Sequence, residues 1–527
     1  MRKSDVDEHC SPTPQAFLPG TDTHLSRREL LALLAAGAVV PLQGACSGEA
    51  ARTTSGVGGD EPLHFASLTD VARRIESRDL SPIDLTRLML NRIESVDPRL
   101  KSYETVMAEH ALADAELAEQ EIDAGSYRGV LHGIPVAVKD LCYTEGVPTM
   151  GGSGALADFV PEYDATVVAR LREAGAVLLG KLSLTEGAMA GYHPDFGLPV
   201  NPWDEGLWAG ASSSGSGVAT AAGLCYASLG SDTGGSIRYP SMANGIVGLK
   251  PTYGRVSRYG VLALAESLDH VGPMARTVSD AAVVLQAIAG HDPNDATSLT
   301  EPVPDMLAEL QGGIAGTRIG FDENYSTAGV DPGLSAAIET ALGELEAMGA
   351  EIVSLNMPDF EPALVDAWFA ICSYEARQAH AATYPARADD YGAYFREFLE
   401  VGSTVTDEAY ANASQARDDF SGRFRAALAT VDAVACPSGG APFAIPAEVH
   451  YGGMAAFDPY MSNVLFQFTV PADFAGTPTI SLPCGQDSNG VPYTIQFMGA
   501  GLTEATLCRI AFGYEQATDW HTRHPSV

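Results

Sequence analysis

The segment GASSSGSGVATAAGLCYASLGSDTGGS runs from Gly210 to Ser236 and contains two serine clusters. Small and apolar residues between the clusters predict a short helix, Val218 to Leu224, which leads into the strand-like run CYASLGSD. Two glycines directly precede Ser236, so the backbone can turn sharply there and leave its N–H groups uncovered. The pattern therefore predicts a strand that ends in an anion-binding turn.

A lysine lies upstream, at the end of a second strand-like run, HGIPVAVKD. We expect the Lys139 amine to be held at a strand end, facing the two serine clusters. Burial of such an amine lowers its pKa, and only a neutral lysine can accept a proton. If the strand continues, the neighbouring Asp140 points to the opposite face, away from the amine. Lys139, Ser212 and Ser236 thus form a candidate nucleophile set that needs no histidine.

Four polar residues beside these clusters are assigned structural roles. Asp232 and Arg238 flank the glycine turn, and we predict that they form an internal ion pair rather than contact a substrate. Ser214 and Ser216 are predicted to cap the following helix, since serine oxygens accept hydrogen bonds from the first helical N–H groups.

The wider chain alternates short apolar strands with amphipathic helices. The strand-like runs are VAVKD, AVLLGK, CYASLGSD, TRIGFD and AEIVSL, and helical segments such as AAIETALGELEAMG lie between them. The stretch from Ser81 to Asp84 predicts a helix start, with a serine N-cap and a proline at the first helical position. The alternation predicts an α/β fold in which helices sandwich a mostly buried mixed sheet.

Motifs for nucleotide or metal binding are incomplete or missing. Residues Gly175 to Lys181 read GAVLLGK, but Leu182 stands where a phosphate loop needs Ser or Thr, so we predict a buried strand there. The sequence has no CxxC pair, no HExxH and no calcium-loop pattern. We therefore predict no metal and no other cofactor.

Five separated blocks resemble the amidase signature family, in the family's order. They are HGIPVAVKD, NPWD from Asn201 to Asp204, the serine-rich run, GSDTGGSIR and GLKPTYGRVSRYG. The resemblance continues to the closing YEQATDWHTRHP and covers roughly Leu63 to Pro525. It implies the amidase signature fold, a central mixed β-sheet covered on both faces by α-helices. It also implies an enzyme that hydrolyses the linear carbon–nitrogen bond of a carboxylic amide, giving an acid plus ammonia or an amine.

The resemblance also assigns roles within the nucleophile set. Ser236 is the nucleophile, Ser212 is a serine preceded by a cis peptide bond that relays a proton, and Lys139 is the base. Ser213 supports these three. Backbone N–H groups hold the oxyanion, and they belong to Thr233, Gly234, Gly235 and Ser236. The chain departs from the family at Ala211, where a second glycine is usual.

Two other functions share this pattern. One is the glutaminase subunit of a tRNA-dependent amidotransferase, which carries the same signature. The other is a non-catalytic amide-binding protein on the same fold, against which the intact Lys139, Ser212 and Ser236 argue. For the favoured amidase, the partner is a small-molecule amide whose identity the sequence leaves open.

The acidic composition bears on partners. A formal net charge of −36 at pH 7 disfavours nucleic acid and anionic membrane surfaces as partners, and hence a tRNA-dependent complex. With 46% hydrophobic residues the chain can bury a large core, and we predict that residues 62–527 form a single domain. The oligomeric state stays open, with a homodimer among the options.

The amino terminus resembles a twin-arginine (Tat) export signal. Arg27 and Arg28 precede an uncharged segment, Leu30 to Leu42, that is too short to span a bilayer but suits such a signal. We therefore predict export by the Tat route to the periplasm or another extracytoplasmic location.

The end of this leader resembles a lipobox. Residues 1–46 form the predicted signal, and Cys46 would be its lipidated residue, although Gln43 stands where leucine is usual. Whether Cys46 carries a lipid anchor is left open. Residues 47–61 are rich in Gly, Ser, Thr and Ala and are predicted to be a flexible tether.

The region from Asp359 to Pro459 carries no chemical motif but many aromatic residues. In amidase signature enzymes the comparable region is variable and helps to shape the substrate pocket. Core packing explains any one of these aromatics equally well, so both interpretations stay open for Trp368, Phe369, Tyr374, Tyr391, Tyr394 and Phe395.

Overall fold

The computed structural model describes residues 62–527 of the 527-residue chain. The export signal predicted for residues 1–46, with Cys46, and the tether predicted for residues 47–61 lie outside the described residues. Both remain predictions, as does the assignment of residues 62–527 to a single domain.

Within residues 62–527, eleven strands form one sheet. In chain order the strands are β1 (Tyr103–Val106), β2 (Pro135–Lys139), β3 (Val177–Leu182), β4 (Ala227–Asp232), β5 (Val247–Lys250), β6 (His270–Ala275), β7 (Arg318–Phe321), β8 (Glu351–Ser354), β9 (Ala433–Pro437), β10 (Thr479–Gln486) and β11 (Pro492–Met498). Across the sheet their order is β1-β3-β2-β4-β6-β5-β10-β11-β9-β7-β8.

The sheet is mixed, as the sequence predicted. Strands β3, β2 and β4 run parallel to one another, and so do β9, β7 and β8. Antiparallel pairs join these two groups through β6, β5, β10 and β11, and β1 adds an antiparallel edge strand.

Both faces of the central strands are covered. Every residue of β2, β3, β4, β5, β6 and β9 is buried. Because successive side chains in a strand point to opposite faces, burial at every position requires cover on both sides. The edge strand β8, in contrast, exposes its first and last residues. The predicted α/β architecture is confirmed.

The α-helices of residues 62–527 supply most of this cover. They are α1 (Leu68–Glu76), α2 (Pro82–Leu100), α3 (Ala108–Asp123), α4 (Thr166–Glu173), α5 (Ser214–Ala221), α6 (Arg238–Asn244), α7 (Val278–Ile288), α8 (Met306–Leu310), α9 (Glu323–Thr327), α10 (Pro332–Ala347), α11 (Pro362–Ala379), α12 (Ala393–Thr404), α13 (Asp407–Leu428), α14 (Met454–Phe457), α15 (Val470–Ala475) and α16 (Glu504–Ala517).

The predicted start of α2 is confirmed. Ser81 accepts a hydrogen bond from the Asp84 N–H at 3.2 Å, and Pro82 occupies the first helical position, where its missing N–H costs nothing. A serine cap of this kind stabilises a helix by about 1 kcal/mol.

The capping roles predicted for Ser214 and Ser216 are wrong. Helix α5 begins at Ser214, earlier than Val218, and both serines lie inside it. Ser214 Oγ hydrogen-bonds the Tyr192 hydroxyl at 2.6 Å, and Ser216 Oγ donates to the Leu229 carbonyl at 3.0 Å. Because both serines are fully buried, their hydroxyls hydrogen-bond neighbouring protein groups instead of water.

None of the helices in residues 62–527 combines the length and the apolar character that a membrane crossing needs. The cysteines of the same range are all free and buried.

Candidate active site

Lys139 and two serine hydroxyls meet at the carboxyl ends of β2 and β4. Lys139 is the last residue of β2, and its Nζ lies 2.6 Å from Ser212 Oγ and 2.9 Å from Ser231 Oγ. Strands β2 and β4 are parallel neighbours in which Val138 pairs with Leu229, so both end at the same edge of the sheet. The peptide bond that precedes Ser212 is cis, despite the alanine before it.

Burial changes the acid–base chemistry of Lys139. The side chain is fully buried, and the resulting desolvation lowers the pKa of Lys139 to about 7, although Cys142, Asp232 and Asp269 act in the opposite direction. Near neutral pH a large share of such amines is uncharged. Lys139 can therefore accept a proton from a neighbouring hydroxyl.

Asp140 points away from this cluster, as the strand alternation predicted. Its Oδ1 lies 3.0 Å from Lys181 Nζ on β3, and its Oδ2 accepts a hydrogen bond from the Met150 N–H at 3.0 Å. Lys181 also donates to Thr149 Oγ1 at 2.7 Å. The segment GAVLLGK is thus a buried strand and not a phosphate loop, as predicted, and its lysine forms an ion pair that the sequence did not indicate.

Ser236 lies in the turn that follows β4 and borders an open cavity. It is partly exposed, whereas Lys139 and Ser212 are fully buried. The Ser213 N–H donates to the Ser236 carbonyl at 3.3 Å, which places the turn beside the Ser212 loop. Ser213 Oγ donates to the Ser231 carbonyl at 3.2 Å. The predicted members of the site therefore lie on adjoining segments.

The turn presents fewer free amides than the four predicted. The Gly235 N–H donates to Asp232 Oδ1 at 2.7 Å, so this amide is used within the turn and is removed from the predicted oxyanion hole. The N–H groups of Thr233, Gly234 and Ser236 have no acceptor within residues 62–527. Gly235 has φ of +127°, and a Cβ there would lie 2.3 Å from the Tyr239 ring. The position therefore requires glycine.

A buried ion-pair network holds this turn, and the predicted pair of Asp232 and Arg238 is confirmed. Arg238 contacts Asp232 at 2.8 Å and Asp473 at 2.6 Å, and all three side chains are fully buried. Asp232 also accepts from the Ile237 N–H at 2.9 Å. Burial alone would raise the pKa of Asp232, but Arg238 lowers it well below its usual range. Removing one partner of such a network typically costs about 3–5 kcal/mol.

The first residue of the turn is fixed from two sides. Thr233 Oγ1 donates to Asp269 Oδ1 at 2.6 Å, and Trp368 Nε1 on α11 donates to the Thr233 carbonyl at 3.0 Å. The indole also covers the next residue, because a Cβ at Gly234 would lie 2.5 Å from the Trp368 ring. Burial raises the pKa of Asp269 to about 6.

An open cavity lies in front of Ser236. Its empty space, counted together with the solvent at its mouth, is about 710 Å³. Ala211, Thr233 and Gly234 line it beside Ser236, so it adjoins the candidate catalytic groups. Most of the remaining wall is aromatic or aliphatic.

The structure separates the aromatic residues that the sequence left open. Trp368 and Tyr394 line the cavity. Phe395 is fully buried and stacks on Phe398. Phe369 packs edge-on against the Phe398 ring, with the ring centroids 5.1 Å apart. Tyr391 is buried beside Phe395, and Tyr374 stacks on Tyr410 at 4.4 Å.

Sequence reasoning missed Ser231. This serine stands in the GSDTGGS block without a predicted role, although it contacts Lys139 as closely as a hydrogen bond allows. Its position in β4, one residue before Asp232, gives the available signal. Alternation along the strand puts Asp232 on one face and Ser231 on the other, toward the lysine.

Comparisons with known proteins identify relatives of this chain. The family model described as Amidase matches residues 84–508. AmiD, an assigned amidase of Mycobacterium tuberculosis, is 46% identical over 471 residues, which are 89% of this chain and 97% of AmiD. A glutamyl-tRNA(Gln) amidotransferase subunit of Thermosynechococcus vestitus is 40% identical over 490 residues, which are 87% of this chain and 99% of that relative.

Among solved structures, the peptide amidase of Stenotrophomonas maltophilia has the same fold. It superposes with a TM-score of 0.75 at 33% sequence identity, over 87% of this chain and 98% of that chain.

Proposed function

Because this chain belongs to the amidase signature family and is a hydrolase of amide carbon–nitrogen bonds, we propose that it works through a seryl acyl-enzyme formed on Ser236. Lys139 is the base and Ser212 the proton relay. The observation that carries this proposal is the 2.6 Å contact between the buried Lys139 amine and Ser212 Oγ, beside the turn that holds Ser236.

The reaction begins with attack of Ser236 Oγ on the substrate carbonyl carbon. The hydroxyl proton passes to Ser212, whose own proton passes to Lys139 Nζ. The tetrahedral intermediate collapses, the carbon–nitrogen bond breaks, and the same relay returns a proton to the leaving nitrogen. Water then attacks the ester carbonyl, releases the carboxylic acid and regenerates Ser236.

The developing oxyanion is held by the free amides of the turn. Thr233, Gly234 and Ser236 supply these N–H groups, while the ion pair of Asp232 and Arg238 keeps the turn in place. Preorganised donors of this kind are effective because they need no rearrangement when the charge forms, and each typically contributes about 3–4 kcal/mol.

Covalent labelling with a fluorophosphonate probe tests the proposal. An activated serine attacks the phosphorus and releases fluoride, so peptide mapping of the full-length protein should find the label on Ser236. Ser236→Ala should remove the label and Lys139→Met should lower its rate strongly, with both variants folded by circular dichroism. A label on another residue, or an unchanged rate in Lys139→Met, would contradict the mechanism. No label and no turnover of any amide would favour a non-catalytic amide-binding protein.

The second candidate is a glutaminase subunit of an amidotransferase, supported by the 40% identity to such a protein. It predicts rapid hydrolysis of glutamine and co-purification with a second subunit. Measurement of ammonia release from glutamine, set beside a simple aliphatic amide, separates the two candidates.

We also propose export by the Tat route, supported by Arg27, Arg28 and the uncharged segment that follows. Replacement of both arginines with lysine should retain the protein in the cytoplasm of a Tat-competent host. Equal export of the variant would contradict the proposal. A lipid anchor on Cys46 would be seen as a mass increase that Cys46→Ala removes.

A further inference from the structure

We infer that the cavity beside Ser236 accepts amides with an uncharged, apolar, ring-sized substituent, and that Trp208 sets the length limit of that substituent. The inference rests on the proposed function, since it concerns the substrate of the same site.

The chemistry of the wall excludes charge. Among the described residues, those that line the cavity include no Asp, Glu, Lys or Arg. The one imidazole, His450, is neutral at physiological pH because burial lowers its pKa to about 4. The Tyr239 hydroxyl already hydrogen-bonds Thr469 Oγ1 at 2.6 Å. A charged substituent would therefore lose its hydration without gaining a partner, which is costly.

The shape of the wall favours a ring or a compact alkyl chain. Trp368 and Phe466 pack with their ring centroids 5.3 Å apart, and Tyr394 meets Phe457 edge-on at 5.2 Å. Val464 adds an aliphatic surface. Aromatic side chains that already contact one another present a preformed apolar surface, so a flat apolar group can bind without rearrangement.

Trp208 lies in the wall between this cavity and a second one. Among residues 62–527 the two cavities share only Trp208, Ile445 and His450 as wall residues. The empty space of the second cavity, counted together with the solvent at its mouth, is also about 710 Å³, and its own wall is largely aliphatic, including Val200 and Pro446.

Main-chain and ring contacts hold Trp208 in this position. Its N–H donates to the Phe443 carbonyl at 2.9 Å, and its carbonyl accepts from Asn201 Nδ2 at 3.1 Å. The indole lies between Tyr239 and Phe443, with centroid distances of 5.9 and 5.1 Å. Asn201 opens the NPWD block, which gives that block a defined task as the support of a pocket wall.

A glutamine substrate fits this site poorly. Its carboxylate and ammonium would both enter a region without a charged partner, whereas a phenyl or alkyl group of similar length gains from burial. The inference thus assigns the chain to uncharged apolar amides and against the glutaminase alternative.

Two substrate series on the full-length enzyme test the preference. The first varies the acyl group of primary amides, so that the leaving group is always ammonia. We expect 3-phenylpropionamide to exceed glutaramate and glutamine by at least roughly 100-fold in kcat/KM. The second varies the amine of N-substituted acetamides and shows whether the cavity takes the acyl or the amine substituent. Equal rates for charged and apolar members of both series would overturn the inference.

The length limit is tested with Trp208→Ala. In the series that shows the apolar preference, this variant should raise the kcat/KM ratio of a ten-carbon to a four-carbon substituent by about tenfold, because the two cavities join. Trp203→Ala, which changes a nearby tryptophan that lines neither cavity, is the matched control and should leave the ratio unchanged. If Trp208→Ala does not fold, Trp208→Phe should shift the ratio in the same direction by a smaller factor. An equal loss with all lengths would contradict a length-limiting role.

Fluorophosphonate labelling separates failure of this inference from failure of the proposed function. A small uncharged alkyl probe reports activation of Ser236 whatever the substrate preference. Normal labelling without an apolar preference overturns only the inference, and absence of labelling at Ser236 overturns the mechanism on which it rests.

Discussion

The proposed catalytic core and the cavity wall of this enzyme are built in different ways. The core lies at the ends of two parallel strands, where the buried Lys139 amine donates to the hydroxyls of Ser212 and Ser231. The wall is made largely by residues 185–191 and 443–466, joined by Trp368 of α11 and Tyr394 of α12. Its members, such as Tyr394 and Phe457, contact one another through rings. The core is therefore fixed by polar geometry, whereas the wall is fixed by shape.

This difference predicts two kinds of mutational effect. A change in the core should alter the rate with every substrate by the same factor, since it acts on the shared chemical step. A change in the wall should alter the order of substrates and leave the activated serine intact.

The largest effect is expected for Lys139→Met. Loss of the proposed base should lower kcat/KM by at least roughly 10³-fold with all substrates, as removal of one member of a catalytic unit does. The melting temperature should not fall, because desolvation lowers the lysine pKa from 10.5 to about 7 and folding near neutral pH therefore works against the charged amine. Kinetics and thermal unfolding measure the two quantities.

Lys250→Met is the matched control for this variant. Lys250 is also fully buried, and its pKa is lowered to about 8, but it donates to the Thr477 carbonyl at 2.6 Å and lies outside the cavity wall. We expect this variant to keep the Ser236 labelling rate within a fewfold of wild type. If the Ser236 labelling rate falls comparably in both variants, the loss comes from removal of a buried lysine and not from removal of a base.

The second effect is on pH dependence. Only neutral Lys139 can take the proton, so kcat/KM should rise with pH, level off above a midpoint near 7, and fall about tenfold per unit below it. Glu186 needs a control because it titrates in the same pH range: burial raises the pKa of its carboxyl to about 7. This carboxyl accepts a hydrogen bond from the Gly392 N–H at 2.8 Å. Glu186→Gln should retain the midpoint. A midpoint that disappears in Glu186→Gln would assign the titration to Glu186 instead.

A smaller effect is expected for Ser231→Ala. Ser231 Oγ accepts a hydrogen bond from the lysine, so its loss should misplace the amine and lower kcat/KM about tenfold with every substrate. It should also move the pH midpoint lower, because an acceptor stabilises the charged form of Lys139. Ser228→Ala, on the same strand and bonded elsewhere, should change neither quantity. An unshifted midpoint in Ser231→Ala would leave only a structural role for this serine.

Local sequence patterns could predict the core because its parts lie in short contiguous blocks. The strand that ends at Lys139, the glycine turn before Ser236 and the opposite orientation of Asp140 all follow from strand alternation and from glycine chemistry. The role of Ser231 could not be predicted in the same way. It depends on the register between β2 and β4, strands that lie far apart in sequence.

The wall and the oxyanion hole show where local reasoning ends. Nothing in the sequence indicates that Asp232 folds back to take the Gly235 amide, since this contact requires the shape of the turn. The aromatics of α11 and α12 alternate between cavity and core according to how these helices pack. Trp368 and Tyr394 therefore line the cavity, while Phe395 next to Tyr394 is fully buried in the core.

Trp368→Phe has the smallest expected effect, and it tests the division itself. Trp368 lies on the wall helix α11, yet its Nε1 donates to the Thr233 carbonyl in the catalytic turn at 3.0 Å. Phenylalanine keeps the ring but loses this bond, which is worth about 1 kcal/mol or roughly fivefold in rate. We expect that loss in kcat/KM for every substrate, with their order unchanged, as for a core residue.

The neighbouring Phe369→Leu is the control for this substitution. It lies on the same helix but packs against Phe398, outside the cavity wall, so its rates should stay within about twofold of wild type. If Trp368→Phe lowers kcat/KM only for ring-bearing substrates, Trp368 acts through shape alone. Helix α11 would then belong entirely to the wall. A uniform loss would show instead that one wall helix positions the oxyanion turn, which couples substrate binding to the chemical step.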